Sequence, residues 1–340
     1  MKQHLNTLYV NTEDSWLSLD GETVQVSIHG ERLARIPLVN LEAIQTFGWN
    51  IGASPQLLAH CAQKGVHVAF CYPNGRLMCN VSGFTHGNVL LRRAQYRLAD
   101  NPERALLAAR EMIAAKILNC RLVLQRASRD HQEASEELQE TISLLAESVR
   151  RAREVTSFAE LLGVEGRAAE RYFSSFRFLI LASEFSFDCR NRRPPRDPVN
   201  ALLSFAYSVL ANDCKSALES VGLDSAVGLF HRDRPGRPGL ALDLMEELRA
   251  PLADRVVLSL INRRQLKIND FVYESSGGVR LSDAGRRVFF SAWQERKKEV
   301  ILHAYIKDKI TIGRIPHIQA RLLAQFVRGA INAYPPVIWK

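Results

Sequence analysis

Leu161-Leu162-Gly163-Val164-Glu165-Gly166-Arg167-Ala168-Ala169-Glu170-Arg171-Tyr172-Phe173 carries an acid on what reads as the apolar stripe of a helix. From Val164 onward Ala168, Ala169, Tyr172, Phe173 and Phe176 recur at helical spacing, which defines a face turned to a core. Gly163 reads as the left-handed cap that ends one helix, with a second helix starting at Val164. Glu165 falls on the stripe, whereas Glu170 falls on its flank beside Arg171. A lone carboxylate is costly to bury. Glu165 therefore either meets a partner from elsewhere in the chain or simply favours the positive end of its helix dipole. Spacing alone leaves both readings open.

Outward from this stretch, helical periodicity dominates down to the C-terminus and back to about residue 87. Val89, Leu90, Ala94 and Leu98 read as one helical face, with Arg92, Arg93 and Arg97 on the other. Asn101 and Pro102 read as the cap and first residue of a longer helix, and helical patterning resumes over 135–153. Asn200 leads into an apolar helix over 201–211, and another helix is predicted over 240–248. Ser275-Ser276-Gly277-Gly278 predicts a hairpin within 271–281.

Before residue 82 the period is two. Trp16-Leu17-Ser18-Leu19 and Thr23-Val24-Gln25-Val26-Ser27-Ile28 flank the turn Asp20-Gly21-Glu22, and a second hairpin turns at Pro73-Asn74-Gly75. Between them Ser54 caps a helix with Pro55 at its first position and Gly65 just past its end. The expectation is an α+β chain: a β-rich unit over 1–85, then a helical unit over 86–340, with the linker inside 82–87.

The 340 residues carry a formal charge of +9 and a pI near 9.4, which favours a polyanionic partner, nucleic acid ahead of an acidic membrane surface. No run approaches the roughly 20 apolar residues of a membrane span, and no apolar signal core follows Met1, so the cytoplasm is the expected compartment and no membrane partner is expected. Six cysteines without a Cys-x-x-Cys pair argue against structural zinc and for reduced, mostly buried thiols. Two loops concentrate cations: Arg190, Arg192, Arg193 and Arg196 among three prolines, and Arg232, Arg234 and Arg237 after His231. Each reads equally as a solvated loop or as a contact for phosphates.

Glu165, His231 and the pair Asp243 and Glu246, which share a helix face at a three-residue offset, are the residues with chemistry to offer. A histidine with two or three carboxylates suits a magnesium- or manganese-type ion. On spacing alone the favoured reading of Asp243 and Glu246 is an ordinary solvated helix face, and of His231 polar surface.

Four segments in order resemble a known family: Glu165-Gly166-Arg167-Ala168-Ala169, Asp197-Pro198-Val199-Asn200-Ala201-Leu202-Leu203-Ser204, Gly228-Leu229-Phe230-His231, and Leu240-Ala241-Leu242-Asp243-Leu244-Met245-Glu246-Glu247. Together they resemble the CRISPR-associated integrase, the first of the numbered CRISPR-associated proteins. Leu5-Asn6-Thr7-Leu8-Tyr9-Val10 looks like the subtype that accompanies type I-C systems. The resemblance implies an N-terminal β-sandwich-like domain that dimerises and an all-α catalytic domain. It also implies that Glu165, His231 and Glu246 are catalytic and hold Mg2+ or Mn2+, with Asp243 as a possible additional acid. The activity implied is a DNA endonuclease and integrase that inserts short foreign fragments into a CRISPR array by transesterification. Its implied partners are double-stranded DNA, a second copy of itself and the second CRISPR-associated protein. Arg92, Arg93, Arg193, Arg232 and Arg237 are the expected phosphate contacts. The alternative reading, from charge alone, is a basic DNA-binding scaffold without chemistry.

Overall fold

The computed structural model describes residues 6–81, 83, 88–130 and 135–339. The first elements are β1 (Asn6–Val10), β2 (Ser15–Asp20), β3 (Thr23–Ile28), β4 (Glu31–Pro37), β5 (Leu41–Phe47), β6 (Gly52–Ala53), α1 (Pro55–Lys64), β7 (His67–Cys71) and β8 (Leu77–Val81). They form two four-stranded sheets, ordered β4-β3-β2-β6 and β1-β5-β7-β8. Both expected hairpins are present, β2 with β3 and β7 with β8. The helix α1 begins where its chemistry says: the Ser54 hydroxyl accepts from the Leu57 amide, and Gly65 turns left-handed at φ 69°.

The pleat of the second sheet divides its side chains between two cores. Val10, Ile44 and Val68 join Leu17, Val24, Val26, Leu57 and Cys61 inside the β-rich unit. Phe47, Ala69 and Cys71 point the other way, into the core of the helical unit. There Tyr9 stacks on Phe290 at 4.5 Å, and Phe47 lies 5.7 Å from Phe205. A buried ion pair, Lys297 with Asp213 at 3.1 Å, lies at the same boundary, with the Gln45 amide donating to Asp213.

The helical unit runs α2 (Val89–Ala99), α3 (Pro102–Asp130), α4 (Ser135–Glu154), α5 (Phe158–Ser175), α6 (Pro198–Ser220) and α7 (Gly239–Glu246). A π-helical turn over Arg249–Asp254 leads into α8 (Arg255–Asn262), then β9 (Phe271–Tyr273), β10 (Val279–Leu281), α9 (Asp283–Lys298), β11 (Val300–Leu302), β12 (Lys309–Thr311) and α10 (Ile315–Val327). The hairpin expected over 271–281 is β9 with β10, and a second, β11 with β12, keeps the unit from being all helix. Residues 82 and 84–87, where the linker and the 85/86 boundary were expected, lie outside the described residues.

Three local expectations are corrected. Gly163 does not end a helix: α5 runs unbroken from Phe158 to Ser175, capped by the Ser157 hydroxyl on the Glu160 amide. A glycine inside a helix costs about 1 kcal/mol relative to alanine. Burying Leu161, Val164, Ala168 and Tyr172 along one stripe outweighs that. On α2 the buried face is Leu91, Gln95 and Leu98, while Val89 and Leu90 are exposed. The apolar count misled because a polar residue holds that face: the Gln95 amide donates to the carbonyls of Asp224 and Val227 and accepts from the Asp224 amide. Finally, α6 starts at Pro198 and is capped by Asp197, whose carboxylate accepts from the Asn200 amide at 2.8 Å.

Candidate metal centre

Glu165 lies midway along α5, Glu246 is the last residue of α7, and Lys116 comes from the middle of α3. The Lys116 ammonium contacts Glu165 Oε1 and lies 2.7 Å from Glu246 Oε2. The other Glu246 oxygen, Oε1, meets Arg249 Nη2 at 2.9 Å and lies 3.8 Å from His231 Nε2. Glu165 and Glu246 therefore meet around an ammonium, and His231 stands beside Glu246 on its other oxygen. Among the described residues, no group of three histidine, cysteine or acidic side chains is arranged to hold a metal ion. The reason is visible: Lys116 fills the gap between the two acids, and Arg249 takes the remaining Glu246 oxygen.

The residues nonetheless suit a divalent cation. Lys116 is a stand-in, a unit positive charge placed where both carboxylates converge. Glu246 Oε2 is sealed from solvent and receives no aligned hydrogen bond, only the ammonium's charge. Two carboxylates and an imidazole are the donor set of magnesium or manganese. Burial alone pushes the Glu246 carboxyl upward, but Arg249, Lys116 and His231 win and hold it down to about 2. The acid is thus ionised and ready to ligate. Burial likewise works against the Lys116 charge, yet Glu246 and Glu165 raise its pKa above the ordinary lysine value.

Asp243 has a different place. One of its oxygens accepts from the amides of Leu229 and Phe230, and the other from the amide of His231 and from His231 Nδ1 at 2.6 Å. The carboxylate on Nδ1 fixes the ring orientation, so that Nε2 faces Glu246. Gly228 makes this close packing possible, since a Cβ there would fall 2.5 Å from the His231 carbonyl and 3.0 Å from Asp243 Oδ2.

Behind the acids lies a second polar network. Asp254, at the end of the π-helical turn, accepts from the hydroxyls of Tyr172 at 2.8 Å and Tyr207 at 2.6 Å. Tyr172 stands two turns beyond Glu165 on α5, and the Arg249 guanidinium lies over the Tyr207 ring at 5.1 Å. Burial lifts the Asp254 carboxyl to about 6 in spite of the two hydroxyls. Lys116, Arg249, Asp254 and Tyr207 were not anticipated from the sequence. One signal was present: Lys116 interrupts Met112-Ile113-Ala114-Ala115-Lys116-Ile117, a lysine inside a fully apolar run.

The expected phosphate contacts scatter. Arg93, Arg193 and Arg232 are exposed, Arg92 and Arg237 half-buried, and Arg232 lies over the Phe158 ring at the start of α5, 4.8 Å away. Of the four arginines in the proline-rich loop, Arg190 turns inward, donating to Asn200 Oδ1 at 2.6 Å and Ser204 Oγ at 3.0 Å, while the other three face solvent. All six cysteines are free thiols, with Cys79 and Cys189 exposed. Among the described residues, no helix is long and apolar enough to cross a membrane.

Comparison with known proteins identifies the family. A family model described as CRISPR associated protein Cas1 matches residues 8–295. The relative named CRISPR-associated endonuclease Cas1 1 of Chlorobaculum tepidum is 48% identical over 344 residues, covering 100% of both chains. Among solved structures, a casposase bound to integration product superposes with a TM-score of 0.84 at 24% identity, covering 96% of this chain and 92% of that one, a likeness of fold. A chain of a Cas6-RT-Cas1–Cas2 complex superposes with a TM-score of 0.83 at 25% identity, over 99% of this chain and 36% of that one. With a family model matching residues 8–295 and a relative 48% identical along its whole length, the chain belongs to the Cas1 family of CRISPR-associated endonucleases.

Proposed function

We propose that this chain is a metal-dependent DNA endonuclease and integrase that inserts short foreign DNA fragments into a CRISPR array. The observation that carries the reading is the convergence of Glu165 and Glu246 on one positive charge, with His231 Nε2 3.8 Å from the other Glu246 oxygen. In the reaction a fragment's 3′ hydroxyl attacks a phosphodiester at the repeat boundary. One phosphorus–oxygen bond forms, another breaks, and a new 3′ hydroxyl leaves. No nucleotide cofactor is needed, because one ester replaces another. Glu165, His231 Nε2 and Glu246 are the residues to hold Mg2+ or Mn2+, which supplies charge neutralisation at the phosphate when bound. Asp243 positions His231 by accepting from its backbone amide and pairing with Nδ1, which turns Nε2 toward Glu246. The Tyr172–Asp254–Tyr207 network fixes α5 against α6 so that Glu165 stays aimed at the site.

The wider reading follows the same family logic. The partners are double-stranded DNA, a second CRISPR-associated protein and a second copy of this chain, and the compartment is the cytoplasm. The Cas6-RT-Cas1–Cas2 complex, one of whose chains shares this fold, supports the protein partner. Edge strand β4, exposed along most of its length with Leu33 outward, supports pairing through the β-rich unit. The units divide as 1–85 and 86–340, the subtype is I-C-like, and Arg92, Arg93, Arg193, Arg232 and Arg237 touch phosphates.

The test is integration of a labelled fragment into a supercoiled plasmid carrying a repeat array, with manganese present. Glu165→Ala abolishes strand transfer and leaves DNA binding nearly intact. Full activity in that variant removes Glu165 from the mechanism.

A further inference from the structure

Among the four charged side chains joined through Glu246 and Lys116, the formal charges cancel. Glu165 and Glu246 bring two negative charges, and Lys116 and Arg249 bring two positive ones. Two carboxylates that converge without a cation repel each other strongly in a buried setting. The lysine removes that strain in the absence of metal. Yet the same arithmetic makes a divalent ion unwelcome while both cations stay, because it would sit against a buried ammonium and a buried guanidinium.

One of the two has to give way, and the surroundings indicate which. Arg249 is pinned: its guanidinium lies over Tyr207, which is itself tied to Asp254, and it grips Glu246 Oε1. Lys116 is held only by the acids it neutralises; among the described residues its ammonium meets no other acceptor. It ends a flexible four-carbon stem, whereas the arginine fork is planar and fixed. Its side chain as a whole keeps 10% exposure. Its nitrogen also occupies the point shared by Glu165 and Glu246, where an ion common to both must be.

We propose that Lys116 is an internal counter-cation that holds the place between Glu165 and Glu246 and withdraws when a divalent ion binds there. This rests on the reading of those acids as metal ligands. The competent state of the site is then the lysine-out state, and the apparent metal affinity is reduced by the fraction of molecules in it. Lys116 thereby sets how much free metal the site needs, and it couples metal binding to a side-chain movement on α3.

Mn2+ alone is the probe, titrated into the full chain with free Mn2+ read by electron paramagnetic resonance. The wild type binds one Mn2+ that Glu165→Gln abolishes, and Lys116→Met binds it at least about tenfold more tightly. A merely structural lysine, orienting the carboxylates, gives the opposite sign: unchanged or weaker binding in Lys116→Met overturns the proposal. If the wild type shows no Mn2+ binding that Glu165→Gln removes, the metal reading itself falls, an outcome distinct from the first. Should Lys116→Met not fold without metal, the wild type still decides. Reductive methylation followed by mass spectrometry should leave Lys116 protected in chelator and modified under saturating Mg2+. Equal protection in both overturns the displacement.

Discussion

Glu246 and Asp254 are both sealed from solvent, at 2% and 1% exposure, and the chain passes from one to the other through a single π-helical turn. Their neighbourhoods differ in kind. Glu246 faces Arg249, Lys116 and His231 and is held down to about 2, while Asp254 faces two tyrosine hydroxyls and is lifted to about 6. Burial is common to both, so it cannot be what separates them. Direct contact with formal charge does: Glu246 touches Lys116 and Arg249, whereas Asp254 touches two hydroxyls and feels Arg190 and Arg249 only from farther off. The cation-rich cluster keeps its acid ionised, as the proposed metal site requires, and the hydroxyl-rich cluster holds helices together.

The sharpest way to break this contrast is to remove a proposed ligand from the first cluster. His231→Ala should lower single-turnover strand transfer about a thousandfold, equivalent to roughly 4 kcal/mol of transition-state stabilisation. Thermal stability should change little, since the His231 side chain is near the surface, 14% exposed.

Next comes pH. Asp254 has a folded pKa of about 6 against an ordinary 3.8, so the native state keeps its proton longer than the unfolded chain does. Its contribution to stability is fully present below the lower value and is lost as pH rises through the upper one, a loss of roughly 3 kcal/mol. The groups facing it are Tyr207, Tyr172, Arg190 and Arg249. Urea denaturation of Asp254→Asn between pH 4 and 8 should lack this decline. Glu246 works in the opposite sense: depressed to about 2 from 4.5, it stabilises above 4.5 and loses that contribution as pH falls through 2.

Tyr207→Phe removes the 2.6 Å hydrogen bond to Asp254 and should cost about 2 kcal/mol in urea denaturation, while Mn2+ binding persists. Loss of Mn2+ binding in that variant would merge the two clusters into one. The smallest expected effect is at Gly166, where a Cβ meets nothing within 4 Å. Gly166→Ala should add about 0.5–1 kcal/mol by raising helix propensity, with strand transfer unchanged. A fall in activity there would place substrate against that turn of α5.

Legibility in the sequence tracked how local each signal was. Ser54, Pro55 and Gly65 carry their own geometry, and α1 begins and ends where they say. The turns at Gly21 and Gly75, both at positive φ, fixed two hairpins. The parallel pairing of β1 with β5 and β5 with β7 joins strands distant in sequence and leaves no local mark. Gly163 misled because a glycine's left-handed option is visible in sequence, whereas the burial that keeps it helical is not. In the site, the family motifs located Glu165, His231 and Glu246, but the contacts of Asp243 with three backbone amides appear only in the fold. Lys116 is the instructive miss. A lysine in an apolar stretch of α3 announces a buried counter-charge, yet its partners lie far along the chain, on α5 and α7.

The most direct test of the metal centre is a crystal of the full chain grown with Mn2+ and measured at the manganese absorption edge. The expected result is one anomalous peak within coordination distance of Glu165, His231 Nε2 and Glu246. A peak at other residues, or no peak with the three side chains still closed around Lys116 at saturating Mn2+, would contradict it.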